Sequence, residues 1–203
     1  MPASPPRFPA FRVCAILLIA LIAARCGGGS GNPVGPRSMT GSGMGNHGMG
    51  MSLESEFDYL AQMIPHHQEA IAAARVVERD TSRDTMRRFA HNIIQTQTAE
   101  VQQMQRWLAA WYGGRDASVA YQPMMRDLSA LTGDALDRAF LQDMVPHHRM
   151  AVMMSQQLIV SGVVTHREVL PFAVTIRDVQ QAEIQTMVGW LADWFGAFPG
   201  MGF

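Results

Sequence analysis

One helix-sized pattern occurs twice in this chain, and that repeat limits the fold more than any other feature. The run from Leu60 to Ile71, carrying Met63, Pro65, His66 and His67, recurs from Leu141 to Val152 as Met144, Pro146, His147 and His148, 81 residues later. A second run, Ala99 to Gly113, recurs as Ala182 to Gly196, now 83 residues later, so that Trp107 and Trp111 match Trp190 and Trp194. The two added residues fall between the runs of the second copy, near Ser161 to Thr165. Each copy therefore reads as helix, short loop, helix. The predicted helices cover 53–79, 83–112, 134–161 and 166–195, with Gly113-Gly114 and Gly196 as stops. One helix pair cannot bury its apolar face alone. Two pairs packed together give an all-α four-helix bundle made from two repeated helix-pair units.

Composition agrees with a packed core, since 48% of the 203 residues are apolar and 16% charged. The formal net charge of −1 gives no basic surface for nucleic acid. Lysine is absent, and methionine occurs 16 times, more than core filling requires.

The N-terminus reads as an export signal over residues 1–26. Arg7 and Arg12 precede an apolar stretch from Val13 to Ala24 that is too short to span a bilayer as a mature helix. Cys26 and the glycines after it resemble a bacterial lipoprotein signal. Arg25 stands where a small residue is usual, so cleavage near Ala24 with release competes with lipid anchoring at Cys26. Both cysteines, Cys14 and Cys26, lie in this segment, which leaves the rest of the chain without thiolate or disulfide. Residues 27–52 form a Gly- and Ser-rich tether, expected to be disordered, in which Met39, Met44, His47, Met49 and Met51 recur. The bundle is expected over 53–196, with repeat one at 53–113, repeat two at 134–196 and a tail at 197–203.

On a helical wheel His66 and His67 straddle Met63, about 60° to one side and about 40° to the other, with Ala70 and Ala74 further along the same face. Met144, His147, His148 and Ala151 repeat this, and Ser155 replaces the second alanine. Met150 and Met154 flank His147, so Met144, His147, Met150 and Met154 are expected to form one ladder. The partner helices bring a second repeated set, Gln97, Glu100 and Met104 in one copy and Gln180, Glu183 and Met187 in the other. Pro65 and Pro146 interrupt helical runs just before the histidines, and an interior proline tends to bend a helix there.

Thioether sulfur is soft and neutral, and imidazole is borderline. A Met/His set without cysteine therefore points to copper, Cu(I) above all, or to Ag(I) by the same softness. Di-iron bundles need Glu-x-x-His on two helices, and the sequence has none there. The candidate ligands are Met63, His66, His67, Glu100 and Met104 in copy one. Copy two offers Met144, His147, His148, Met150, Met154, Glu183 and Met187, and the tether adds Met44, His47, Met49 and Met51. Glu100 and Glu183 serve either as ligands or as partners that orient an imidazole. Because copy two has Met150 and Met154 where copy one has Glu69 and Ala73, the second site is expected to be softer. Methionine at helical spacing also fits ordinary core packing. The four tryptophans are read as core packing at the bundle ends, His91 as solvent-facing and His166 as structural or exposed.

The Met-x-x-His-His run with a downstream Gln-x-x-Glu-x-x-x-Met-x-x-Trp-Leu resembles the domain of unknown function 305 family over about residues 53–196. The resemblance implies a ferritin-like bundle and relatives that are exported copper-binding proteins linked to copper tolerance. It falls on Met63, His66, His67, Glu100 and Met104 and on Met144, His147, His148, Glu183 and Met187. Copper sequestration or transfer in the cell envelope, with a metal ion and another envelope copper protein as partners, is the leading expectation. A ferritin-like redox metalloenzyme and a structural or interaction bundle are the alternatives.

Overall fold

A computed structural model describes residues 53–196. Four helices account for the regular structure there: α1 Glu56–Asp80, α2 Asp84–Trp111, α3 Gly133–Ser161 and α4 Val169–Phe195. None of them is long and apolar enough to cross a membrane. Ser55 caps α1, its hydroxyl accepting the Asp58 N–H at 3.2 Å, so the helix begins three residues later than the periodicity predicts. Leu53 lies before the cap and is buried in the core. The start of α4 also moves, from the expected 166 to Val169, because Glu56 takes the backbone N–H groups of Thr165 and His166 into a turn. Gly162 and Gly196 end α3 and α4 in the left-handed conformation, with φ of 71° and 61°. Helices α1 and α3 pass through Pro65 and Pro146 without a break.

The helices pack as two hairpins, α1 on α2 and α3 on α4, joined face to face through α1 and α3. Contacts along that seam run in opposite directions. Tyr59 meets Ser155 at 2.9 Å, His66 stacks on His147, and Thr81 donates to Asp137 at 2.6 Å. Equivalent residues of the two copies thus face one another at the middle of the seam, as a two-fold axis would place them. The same contacts put the starts of α2 and α3 at one end of the bundle. The connection from Trp111 to Gly133 must therefore travel back along its length, as the single long crossover of ferritin-like bundles does.

The apolar core is divided in two. Met63, Met104, Met154, Leu60 and Leu158 belong to one cluster, and Met86, Met144, Met187, Phe140 and Ile93 to the other. The histidines lie in neither, although they are as buried as the core. Each end is closed by a buried acid, Glu56 at one and Asp137 at the other.

Candidate metal centre

Antiparallel packing of α1 on α3 gathers all four repeated histidines into one layer. The His66 and His147 rings stack across the seam with centroids 3.7 Å apart and planes 31° apart. His67 and His148 flank them, at 6.1 Å from His66 and 6.3 Å from His147. None of the four is more than 1% exposed. A buried imidazole must spend its polar atoms on partners or leave them bare at a cost.

The Nε2 atoms all face oxygen. His67 Nε2 is 2.8 Å from Glu100 Oε2, and His148 Nε2 is 2.8 Å from Glu183 Oε2. His66 Nε2 lies 3.1 Å from the carbonyl oxygen of His147. His147 Nε2 lies 3.2 Å from Glu69 Oε2 but is poorly aligned for a hydrogen bond. A neutral ring that donates from Nε2 keeps a lone pair on Nδ1. All four Nδ1 atoms are buried without a partner. Burial and the three neighbouring imidazoles hold the pKa of His66 well below the ordinary histidine value. Burial lowers that of His147 too, against the opposing pull of Glu69. These two rings are therefore neutral, the state in which imidazole ligates a metal.

Glu100 and Glu183, left open by the sequence between ligand and orienting partner, each meet the Nε2 of a histidine. This is the arrangement in which a carboxylate fixes the tautomer of a metal-binding imidazole. Met63 and Met104 sit together in one core cluster and Met144 and Met187 in the other, so each hairpin keeps its repeated methionine pair. The expected ladder is not kept together. Met154 joins Met63 and Met104, Met144 lies in the opposite cluster, and Met150 is half-buried against the cluster of Met154. A soft side chain of copy two thereby serves the side that holds the methionines of copy one. Among the described residues no group of three or more His, Cys, Asp or Glu is placed to hold a metal ion. The donors that remain are bare imidazole nitrogens with thioethers in the layers on either side, a set suited to soft ions. The tether residues Met44, His47, Met49 and Met51 lie outside the described residues.

Sequence reasoning missed Glu69 and the connection that it holds. Burial would raise the pKa of Glu69, but nearby His147, the Tyr121 hydroxyl and the Met125 amide bring it down to about 2. The carboxylate takes the Tyr121 hydroxyl on Oε2 and the N–H groups of Met124 and Met125 on Oε1, at 2.8 and 3.0 Å. Asp143 accepts from the backbone and guanidinium of Arg126 at 2.6–3.0 Å. A signal existed, since Glu69 against Met150 and Gln62 against Asp143 are places where the copies differ in charge. The tryptophans stack in half-buried pairs, Trp107 on Trp111 and Trp190 on Trp194. His91 is exposed beside Glu78, and His166 has a structural place on Glu56 and Trp111.

Residues 56–191 match the family described as Domain of unknown function (DUF305). Among solved structures, CopM in the Cu(II)-bound form aligns at 32% identity and a TM-score of 0.62, over 70% of this chain and 98% of that one. CopM in the Cu(I)-bound form aligns at 30% and 0.62, over 69% and 97%. A DUF305 protein from Streptomyces coelicolor aligns at 27% and 0.63, over 73% and 98%. No match was found among curated proteins.

Proposed function

Since the chain belongs to the domain of unknown function 305 family, we propose that it captures soft metal ions in the cell envelope, Cu(I) foremost and Ag(I) by the same chemistry. It then sequesters them or passes them to another envelope copper protein. The observation that carries this reading is the set of four buried Nδ1 atoms without partners. Leaving one such nitrogen bare costs on the order of 1–3 kcal/mol, and a fold that pays this four times in one layer gains if a cation takes up the lone pairs. In this reading His67 and His148, held by Glu100 and Glu183, are the principal imidazole ligands. Met63 with Met104, and Met144 with Met187, supply thioethers. The copper- and silver-bound forms of CopM support the choice of metal.

Residues 1–26 direct export, with lipid attachment at Cys26 or release by cleavage before it. The methionines and His47 of the tether gather ions and deliver them to the bundle.

Anaerobic titration with Cu(I) against a competing chromophoric chelator tests the reading. The protein is expected to hold at least one Cu(I) tightly and to lose it when His66, His67, His147 and His148 are changed to Ala, with helix content checked by circular dichroism. Glu100→Gln is expected to weaken binding by about 10- to 100-fold while leaving the ligands in place. Failure to compete for Cu(I), in a protein that is fully helical, overturns the proposal.

A further inference from the structure

The four histidines are closed to solvent, so an ion reaches them only if some part of the bundle moves. The two hairpins are packed along their lengths, and opening either would expose core. The middle of the connection between α2 and α3 is different, although its ends are held by Tyr112 on Glu56, Arg115 over Phe57 and Leu128 in the core. It has no regular helix or strand, and much of it is exposed. It crosses the histidine layer midway along its course, where the ring of Tyr121 stands edge-on to His66 with centroids 6.4 Å apart. Few bonds hold it there. Glu69 takes the Tyr121 hydroxyl and the N–H groups of Met124 and Met125, and Asp143 takes Arg126. Local opening follows the segment with the fewest buried contacts.

We propose that the stretch 116–127 of this connection is the gate to the histidine layer, and that Glu69 is both its latch and the positioning residue of His147. The gate rests on the metal-binding reading above. One atom joins the two roles, because Oε2 of Glu69 receives the Tyr121 hydroxyl and also faces His147 Nε2. A cation arriving on Nδ1 of His147 makes its Nε2–H a stronger donor. That N–H then draws Oε2 into line and away from the tyrosine. The His147 N–H and the Tyr121 hydroxyl thus compete for one carboxylate oxygen, so ion arrival favours release of the connection. The mirrored position in copy two is Met150, which offers no carboxylate, so the bundle has one such latch although it has two copies of the histidine pair.

The test measures transfer of Cu(I) from the loaded protein to a chromophoric chelator, in parallel with hydrogen exchange at the amides of Met124, Met125 and Arg126. Tyr121→Phe removes one bond to Glu69 and keeps the ring. Asp143→Asn loosens the far anchor and touches no histidine. Each variant is expected to speed transfer roughly five- to tenfold, the equivalent of one lost hydrogen bond, and to lower amide protection by a similar factor. Asp143→Asn keeps the number of bound ions. Faster amide exchange with an unchanged transfer rate overturns the gate while leaving the metal site standing. Unchanged amide exchange in both variants overturns the latch. A parent protein that takes up no Cu(I) overturns the metal reading and the gate together.

Discussion

The two ends of the bundle are assembled from the same parts with one exchange. At one end Asp137 is fully buried, accepts from Thr81 and from Arg83 at 3.0 Å, and Arg83 lies over Trp194 at 4.9 Å. At the other end Glu56 is 1% exposed and holds His166 Nδ1 at 2.6 Å, and the His166 ring lies flat on Trp111 with centroids 3.8 Å apart. Arg83 and His166 occupy the same place in the two copies, as do Trp111 and Trp194. A buried acid at the seam, a cationic or imidazole side chain against it and a tryptophan face behind form a closing unit that the duplication carried whole. The acid and the tryptophan recur in kind, while their partner changes from a permanently charged guanidinium to an imidazole.

Removing the acids breaks this comparison most directly. Glu56 also accepts from the N–H groups of Thr165 and His166 and from the Tyr112 hydroxyl. Its loss strands four donors, whereas loss of Asp137 strands two. Glu56→Ala is therefore expected to cost about 3 kcal/mol of stability and Asp137→Ala about 2 kcal/mol, measured by urea unfolding at neutral pH. The reverse order would mean that the charge of Arg83, rather than the number of orphaned donors, sets the strength of an end.

Acid separates the middle of the bundle from its ends by a second route. Burial depresses the pKa of His66 and His147 below the ordinary value of 6.5. The unfolded chain thus binds more protons below 6.5, and stability present above that pH is lost as the pH falls toward the depressed values. Glu69, lowered from 4.5 to about 2, and Glu56, also lowered, add stability that is present above 4.5 and lost as pH falls further. The Glu69 share is about 2 kcal/mol after allowing for screening at its open edge. Urea midpoints are expected to fall in two stages, between pH 7.5 and 5.5 at the histidine layer and again below pH 4.5. A flat profile down to pH 5 would show that the rings of His66 and His147 are not held neutral.

The fold was legible because duplication doubled every weak signal. A single Met-x-Pro-His-His run is ambiguous, but two of them 81 residues apart, each followed by the same Trp-bearing helix, leave little besides a paired bundle. The pairing of His67 with Glu100 and of His148 with Glu183 was within reach for the same reason. What escaped depends on how the copies meet. Antiparallel crossing of α1 and α3 turns Glu69 of copy one toward His147 of copy two and sends Met154 of copy two to the cluster of Met63 and Met104. Helical periodicity assigns a side chain to a face of its own helix, not to a partner chosen by tertiary packing. The connection was opaque for another reason, since residues 113–132 have no period to read and their register is set by Glu69 and Asp143.

The smallest difference between the copies is also the easiest to isolate. Tyr59 and Ser155, both fully buried, share a hydrogen bond of 2.9 Å across the seam. At the mirrored place the chain has Phe140 and Ala74, equally buried and in one cluster, so each partner differs by a single hydroxyl. Ser155→Ala is expected to cost about 1–2 kcal/mol, because it leaves the Tyr59 hydroxyl buried without a partner. Tyr59→Phe is expected to cost less, about 1 kcal/mol, since the serine hydroxyl can turn to the carbonyl one helical turn back. Together the two changes convert this contact into the apolar version that the protein already tolerates. The double variant should therefore return to within about 0.5 kcal/mol of the parent, giving a coupling of about 1 kcal/mol or more in the cycle. Full additivity would mean that Tyr59 and Ser155 are each fixed by other neighbours, and that the two halves of the seam are less alike than their shared backbone suggests.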